Sequence, residues 1–130
     1  MVDVEWGPGP RQEGIEDQQL DGLLDRVDAV ARSEGRPQDV QVTVEGAGTL
    51  GIVVGCEWSV LNPVPADGKP PYMVSVGRDP SDDPLAFYVA GGHYTETLRR
   101  NTIIRDEART AMRHFVATGQ LSSDVNWEEV

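Results

Sequence analysis

The segment from Thr102 to Trp127 leaves this chain the least freedom, because periodicity, start signal and stop signal all agree there. Ala108, Ala111, Met112, Phe115 and Val116 recur at i, i+3, i+4, i+7 and i+8, which lines them along one side of an α-helix. Asp106 and Glu107 lie in its first turn, where negative charge meets the positive end of the helix dipole, and Gly119 stands where a left-handed C′ residue is wanted. Burying Met112, Phe115 and Val116 contributes about 5 to 9 kcal/mol gross, at about 1.5 to 3 kcal/mol per large apolar side chain. Side chains of this kind at this spacing are core, so the helix anchors a domain and function has to be sought elsewhere.

At the other end, Trp6-Gly-Pro-Gly-Pro-Arg-Gln-Glu-Gly14 is Gly/Pro-rich and non-periodic, which predicts a flexible arm over residues 1–14 that is ordered only if Trp6 docks. Residues 15–130 then form one domain. Leu20, Leu23, Leu24, Val27, Val30 and Ala31 repeat at helical spacing, with Asp17 as N-cap, Gly35 as terminator, and Asp21, Asp25 and Asp28 on a solvated face. Beyond Pro37 the period falls to two. Val40 to Val44, Leu50 to Val54, Trp58 to Leu61, Tyr72 to Val76, Leu85 to Val89 and His93 to Leu98 read as strands, and the prolines from Pro63 to Pro71 force a loop. The turns are too short for crossover helices. The order therefore predicts an α+β fold, an antiparallel sheet of about five to seven strands with an N-terminal and a C-terminal helix packed on it.

Charge limits the partners. The 130 residues carry 22 acids against 11 lysines and arginines, a formal net charge of -11, which repels nucleic acid and anionic membrane and suits a partner with a basic surface. The charge is also uneven, with eight acids and two arginines in residues 1–28 but five arginines and two acids from Arg99 to Arg113, so ion pairs between the two helical regions are expected. A lone Cys56, and an N-terminus without basic segment or apolar run, point to a reducing cytoplasmic setting, and no stretch reads as a membrane span. No cofactor or metal is predicted: His93 and Glu96 offer a single His-x-x-Glu pair, with Cys56 and His114 remote in sequence. Glu45 to Gly51 is no phosphate loop, since no helix follows it.

The last helix, followed by Thr118-Gly119 and then Val125-x-Trp127, resembles the C-terminal signature of the first-numbered immunity protein family of bacterial polymorphic toxin systems. Ile103, Ala108, Ala111, Phe115, Thr118, Gly119, Val125 and Trp127 match it one by one. Leu50 to Gly55 with Ser59-Val60-Leu61 is similar to the family's glycine-then-Ser-Val-Leu segment, and Thr95-Glu96 to its Thr-Glu after the last long strand. The chain departs from the pattern at Ile104, where a proline often opens the helix, and at Leu121-Ser122, where Arg-Pro is usual. The resemblance implies an α+β fold and an immunity function, binding a cognate toxin domain, often a nucleic-acid deaminase, and occluding it. A deaminase of that class needs a basic groove, which an acidic protein can fill with carboxylates where phosphates would lie.

The candidate toxin contacts are Glu57, Trp58, Asp79, Asp82, Asp83, Tyr94 and Glu96. Asp79-Pro-Ser-Asp82-Asp83-Pro gathers three carboxylates in a proline-braced turn, where positioning them costs little ordering entropy. Glu57 and Glu96 follow glycine-bearing turns, and Trp58 and Tyr94 are of the kind that supplies hot spots. Two other readings stay open. A pocket without titratable pairs would favour a small cytoplasmic ligand-binding or regulatory domain, and one gathering Cys56, His93 and Glu96 would favour an enzyme using Cys56 or His93.

Overall fold

A computed structural model describes residues 2–7 and 11–130. The segment expected to be an arm forms strand β1 (Val2–Trp6) and strand β2 (Arg11–Ile15), paired antiparallel; Met1 and Pro8 to Pro10 lie outside the described residues. A period-two pattern sits beside the Gly/Pro tract: Val2 and Val4 are buried, whereas Asp3 between them is exposed. β1 pairs on its other side with β3 (Gln38–Val44), so the N-terminus is part of the sheet.

A single 3-10 turn, Asp17–Gln19, leads into helix α1 (Leu20–Glu34). Asp17 therefore precedes the helix instead of capping it, and the Glu16 N–H donates to Gln19 Oε1 at 2.8 Å. The chain opens on a hairpin, not on a helix. Leu20, Leu23, Leu24, Val27 and Ala31 are buried as their spacing requires, but Val30 is half exposed. Asp28, expected on the solvated face, is buried beneath the bend after β4 (Gly48–Val54), where it accepts the Gly55 N–H at 2.7 Å. Gly35 ends α1 in the left-handed region, as Gly119 ends α2 (Arg105–Thr118) with φ of 74°. Ala108, Ala111, Met112, Phe115 and Val116 are all buried, so the α2 stripe faces the core as its periodicity demands.

The chain is α+β with a mixed sheet. The strands following β4 are β5 (Trp58–Ser59), β6 (Leu61–Pro65), β7 (Met73–Val76), β8 (Pro84–Val89), β9 (His93–Leu98), β10 (Ile103–Ile104) and β11 (Asn126–Glu129). Seven of the described strands share one sheet, in the order β2-β1-β3-β4-β6, with the β8–β9 hairpin joined to β3. That junction corrects the all-antiparallel expectation, because Gln38 and Tyr88 pair in parallel. Its cause is local: β1 pairs with β3 only at Gln41 to Thr43, leaving the start of that edge for β8, where the Tyr88 N–H donates to the Pro37 carbonyl at 2.9 Å. Trp58 to Leu61, read as one strand, is two: β5 pairs with β10, β6 with β4. Pro63 and Pro65, expected to force a loop, sit in β6 opposite Leu50 and Gly48, a position an edge strand tolerates.

Both helices cover one face of the sheet. Val2, Val4, Val40, Val42, Leu50, Ile52 and Val54 meet the two helical stripes there, with Trp6 and Trp127 at the margin. Trp127 packs back against this core, its Nε1–H donating to the Ser122 carbonyl at 3.1 Å. A smaller cluster of Val53, Val60, Val74 and Phe87 with Trp58 and Val89 forms separately, beneath the β8–β9 hairpin. The acidic and basic regions pair across the helices as their distribution suggests: Arg109 reaches Asp25 at 3.1 Å and Asp21 at 3.6 Å, and Arg113 reaches Asp21 at 2.9 Å. Buried Ser75 and Asn101 tie the short strands together, with Ser75 Oγ accepting from Leu61 N–H at 3.0 Å and donating to the Asn101 carbonyl at 2.8 Å.

Candidate functional site

Alternation along β3 and β4 decides what the helix-free face displays. With Val40, Val42, Leu50 and Ile52 turned to the helices, Asp39, Gln41, Gly51 and Val53 turn the other way. Asp39 is 2% exposed, and its Oδ2 accepts a hydrogen bond from Gln41 Nε2. Its Oδ1 has no partner among the described residues. Burial pushes the carboxyl up to about 6, outweighing the Gln41 hydrogen bond that pulls it down. Gly51 makes room for this pair, since a Cβ there would stand 2.8 Å from both Asp39 Oδ1 and Gln41 Nε2.

Asp39 and Gln41 belong to the wall of a cleft of about 270 Å³ between the sheet and the β8–β9 hairpin, closed by Asn62, Phe87, Thr95 and Glu96. Gln41 also lines an adjoining depression of about 380 Å³, together with Asp3, Glu5, Gln12 and Thr43. No lysine or arginine lines either one. A hollow of about 540 Å³ has a different character, with Trp6, Val27 and Val30 flanked by Arg11, Arg26 and Arg36.

The sequence-derived candidates divide into three places. Tyr94 and Glu96 come together on β9, where the Tyr94 hydroxyl donates to Glu96 Oε2 at 2.9 Å and the ring stands edge-on to Tyr88. Tyr94 is 59% exposed, and Glu96 lies at the cleft margin. Asp79, Asp82 and Asp83 share the exposed turn before β8, but local groups engage them: Asp79 accepts the Ser81 N–H, and Asp82 lies 3.4 Å from Arg100. Glu57 stands apart and takes Arg32 at 3.3 Å, while Trp58 is half-buried against the smaller cluster. Asp39, Gln41, Asp3 and Glu5 were not singled out by the sequence reading. The available signal was an aspartate inside a valine-rich strand, a residue type that strands disfavour.

Cys56 does not sit as a nucleophile. Its Sγ–H points to the Trp58 carbonyl at 3.1 Å, and burial pushes the thiol up, away from the thiolate that catalysis needs. His93 and His114 are exposed, on β9 and α2 respectively. No three His, Cys, Asp or Glu side chains gather to hold a metal among the described residues.

The family model for immunity protein Imm1 matches residues 14–129. The chain belongs to the Imm1 family. No curated protein matches it. As an Imm1 protein its role is immunity and its partner is a toxin. The match spans both helices and the strands from β3 onward, and leaves β1 outside. Ala108, Ala111, Phe115 and Val125 are buried and Gly119 caps α2, so these family-like positions build the Imm1 fold and not its exposed surface. Among the described residues of this Imm1 protein, no helix is long and apolar enough to cross a membrane.

Proposed function

We propose that this Imm1 protein binds its toxin without catalysing any reaction, in the cytoplasm of the producing cell, and that the toxin is a nucleic-acid deaminase whose basic substrate groove it occludes. The observation that supports this reading is an open sheet face whose two adjoining depressions hold carboxylates and no basic side chain, on a chain of net charge -11. A groove shaped for phosphates attracts such a face, and charge complementarity accelerates the encounter. Tyr94 and Glu96 stand at the edge of that face, while Glu57, Trp58, Asp79, Asp82 and Asp83 form outer contacts. Among the outer group, Asp82 and Glu57 each give up an internal ion pair on binding.

Co-expression with the toxin domain encoded beside this chain tests the proposal. A stoichiometric complex should co-purify, abolish deamination of single-stranded nucleic acid, and associate more slowly as salt rises. A complex that leaves deamination intact would refute occlusion. A neighbouring toxin of another chemistry that is nonetheless neutralised would replace the substrate class and keep the immunity function.

A further inference from the structure

Three described side-chain atoms are buried without a hydrogen-bond partner: Asp39 Oδ1, Arg100 Nε and Arg109 Nη2. The two arginine atoms each face a carboxylate, Asp82 at 3.4 Å and Asp25 at 3.1 Å. Asp39 faces no cation among the described residues. A buried carboxylate in that condition carries a desolvation cost that the single Gln41 hydrogen bond offsets only in part, and the protein would be more stable with a neutral group there. Asp39 nevertheless has Gly51 diagonally across on β4, opposite Gln41, to make room, a cleft beside it, and a second carboxylate, Glu96, at the same cleft.

We infer that the cleft between β3 and β9 is a socket for one basic side chain of the protein partner, whose N–H groups bond to Asp39 with Glu96 at the rim. The cleft volume, about 270 Å³, suits one long side chain and is too small for a helix or strand. Asn62 and Gln41 add amide oxygens that can accept from a guanidinium or ammonium, Thr95 and Thr97 add hydroxyls, and Phe87 with Val89 supplies an apolar wall for the methylene stem. Asp3 and Glu5 in the adjoining depression extend the negative field toward approaching cations, and neither forms an ion pair within the described residues. The inference rests on the immunity reading for the identity of the partner, but not for the chemistry of the socket.

The test uses the whole chain and two probes. The first is the peptide acetyl-Gly-Arg-Gly-amide, with its neutral citrulline counterpart as control, followed by amide chemical shifts. The arginine peptide should move the signals of Asp39, Gln41, Asn62 and Thr95 to Thr97, the citrulline peptide should not, and Asp39→Asn should weaken binding about tenfold or more. The thermal midpoint of Asp39→Asn at pH 7 should equal or exceed that of the parent, a result that a purely structural aspartate would not give. Should Asp39→Asn fail to fold, Glu96→Gln on the exposed rim serves instead, with an expected loss of about threefold. Shifts confined to Asp79 to Asp83, equal binding by citrulline, or unchanged binding in both variants would overturn the socket. The second probe is the toxin domain encoded beside the chain. If the peptide binds at Asp39 and that toxin does not bind at all, the socket stands and the immunity reading falls; if the toxin binds Asp39→Asn as it binds the parent, the reverse holds.

Discussion

Two buried aspartates respond to pH in opposite senses. For Asp28, burial alone would raise the carboxyl, but the Gly55 N–H at 2.7 Å, Arg32 at 2.9 Å and Arg105 at 3.5 Å outweigh it and hold the group below 3.8. Its contribution is present above that value and disappears as acid protonates it. Asp39 stands at about 6 against an ordinary 3.8, so between those values the folded chain keeps a proton that the unfolded chain has released. Stability therefore falls as pH rises from 3.8 to about 6, and Asp39→Asn should remove that slope. At pH 7 the variant should be more stable by about 2 to 3 kcal/mol, measured by urea unfolding from pH 4 to pH 8. Phe115, 3% exposed, gives the contrary case: Phe115→Ala should cost about 3 to 5 kcal/mol in the same assay. Phe115 was legible because helical spacing is a local property. Asp39 was legible only in direction, since alternation turns it from the helices but cannot reveal that β8 and β9, far along the chain, will return to bury it.

Among the elements, the helices declared themselves and the strands rich in glycine or proline did not. α1 and α2 carry long periodic stripes with terminating glycines, signals that survive any tertiary context. β1 adjoins a Gly/Pro tract, and β6 contains two prolines, so turn chemistry outweighed five residues of alternation in each reading. The acidic turn, Tyr94 and Glu96 lie exposed, whereas the cleft needed the parallel junction of β8 with β3, which no short window encodes. The hairpin β1–β2 also lies almost wholly outside the Imm1 match, yet it buries Val2 and Val4 and covers an edge of β3. Deleting residues 1–13 should cost about 3 to 6 kcal/mol from those two side chains alone and bare a strand edge that invites pairing between molecules. A lower thermal midpoint with concentration-dependent aggregation is the expected result, and a midpoint within a degree of the parent would show that the hairpin is dispensable.

Taken as one body, the molecule segregates its charge. The arginines of α2 are consumed by the aspartates of α1, while Asp3, Glu5 and Asp39 on the opposite sheet face form no ion pair among the described residues. Reversing Asp82 and Asp83 to lysine should leave the fold intact, slow toxin association at low salt and flatten its salt dependence, since rim charges act on the on-rate. Because Asp82 already answers Arg100, the effect should be smaller than that of Glu96→Lys, and stopped-flow mixing at two ionic strengths would compare them. The same division into two faces separates the tryptophans, with Trp6 and Trp127 against the helix-side core and Trp58 in the small cluster with Phe87. Phe87 also walls the cleft, so Trp58 is an optical reporter wired to one side of the sheet. In a chain keeping Trp58 and carrying phenylalanine at the other two positions, occupancy of the open face should shift the emission before any unfolding does. A chain keeping only Trp127 should stay silent until the helices leave the sheet.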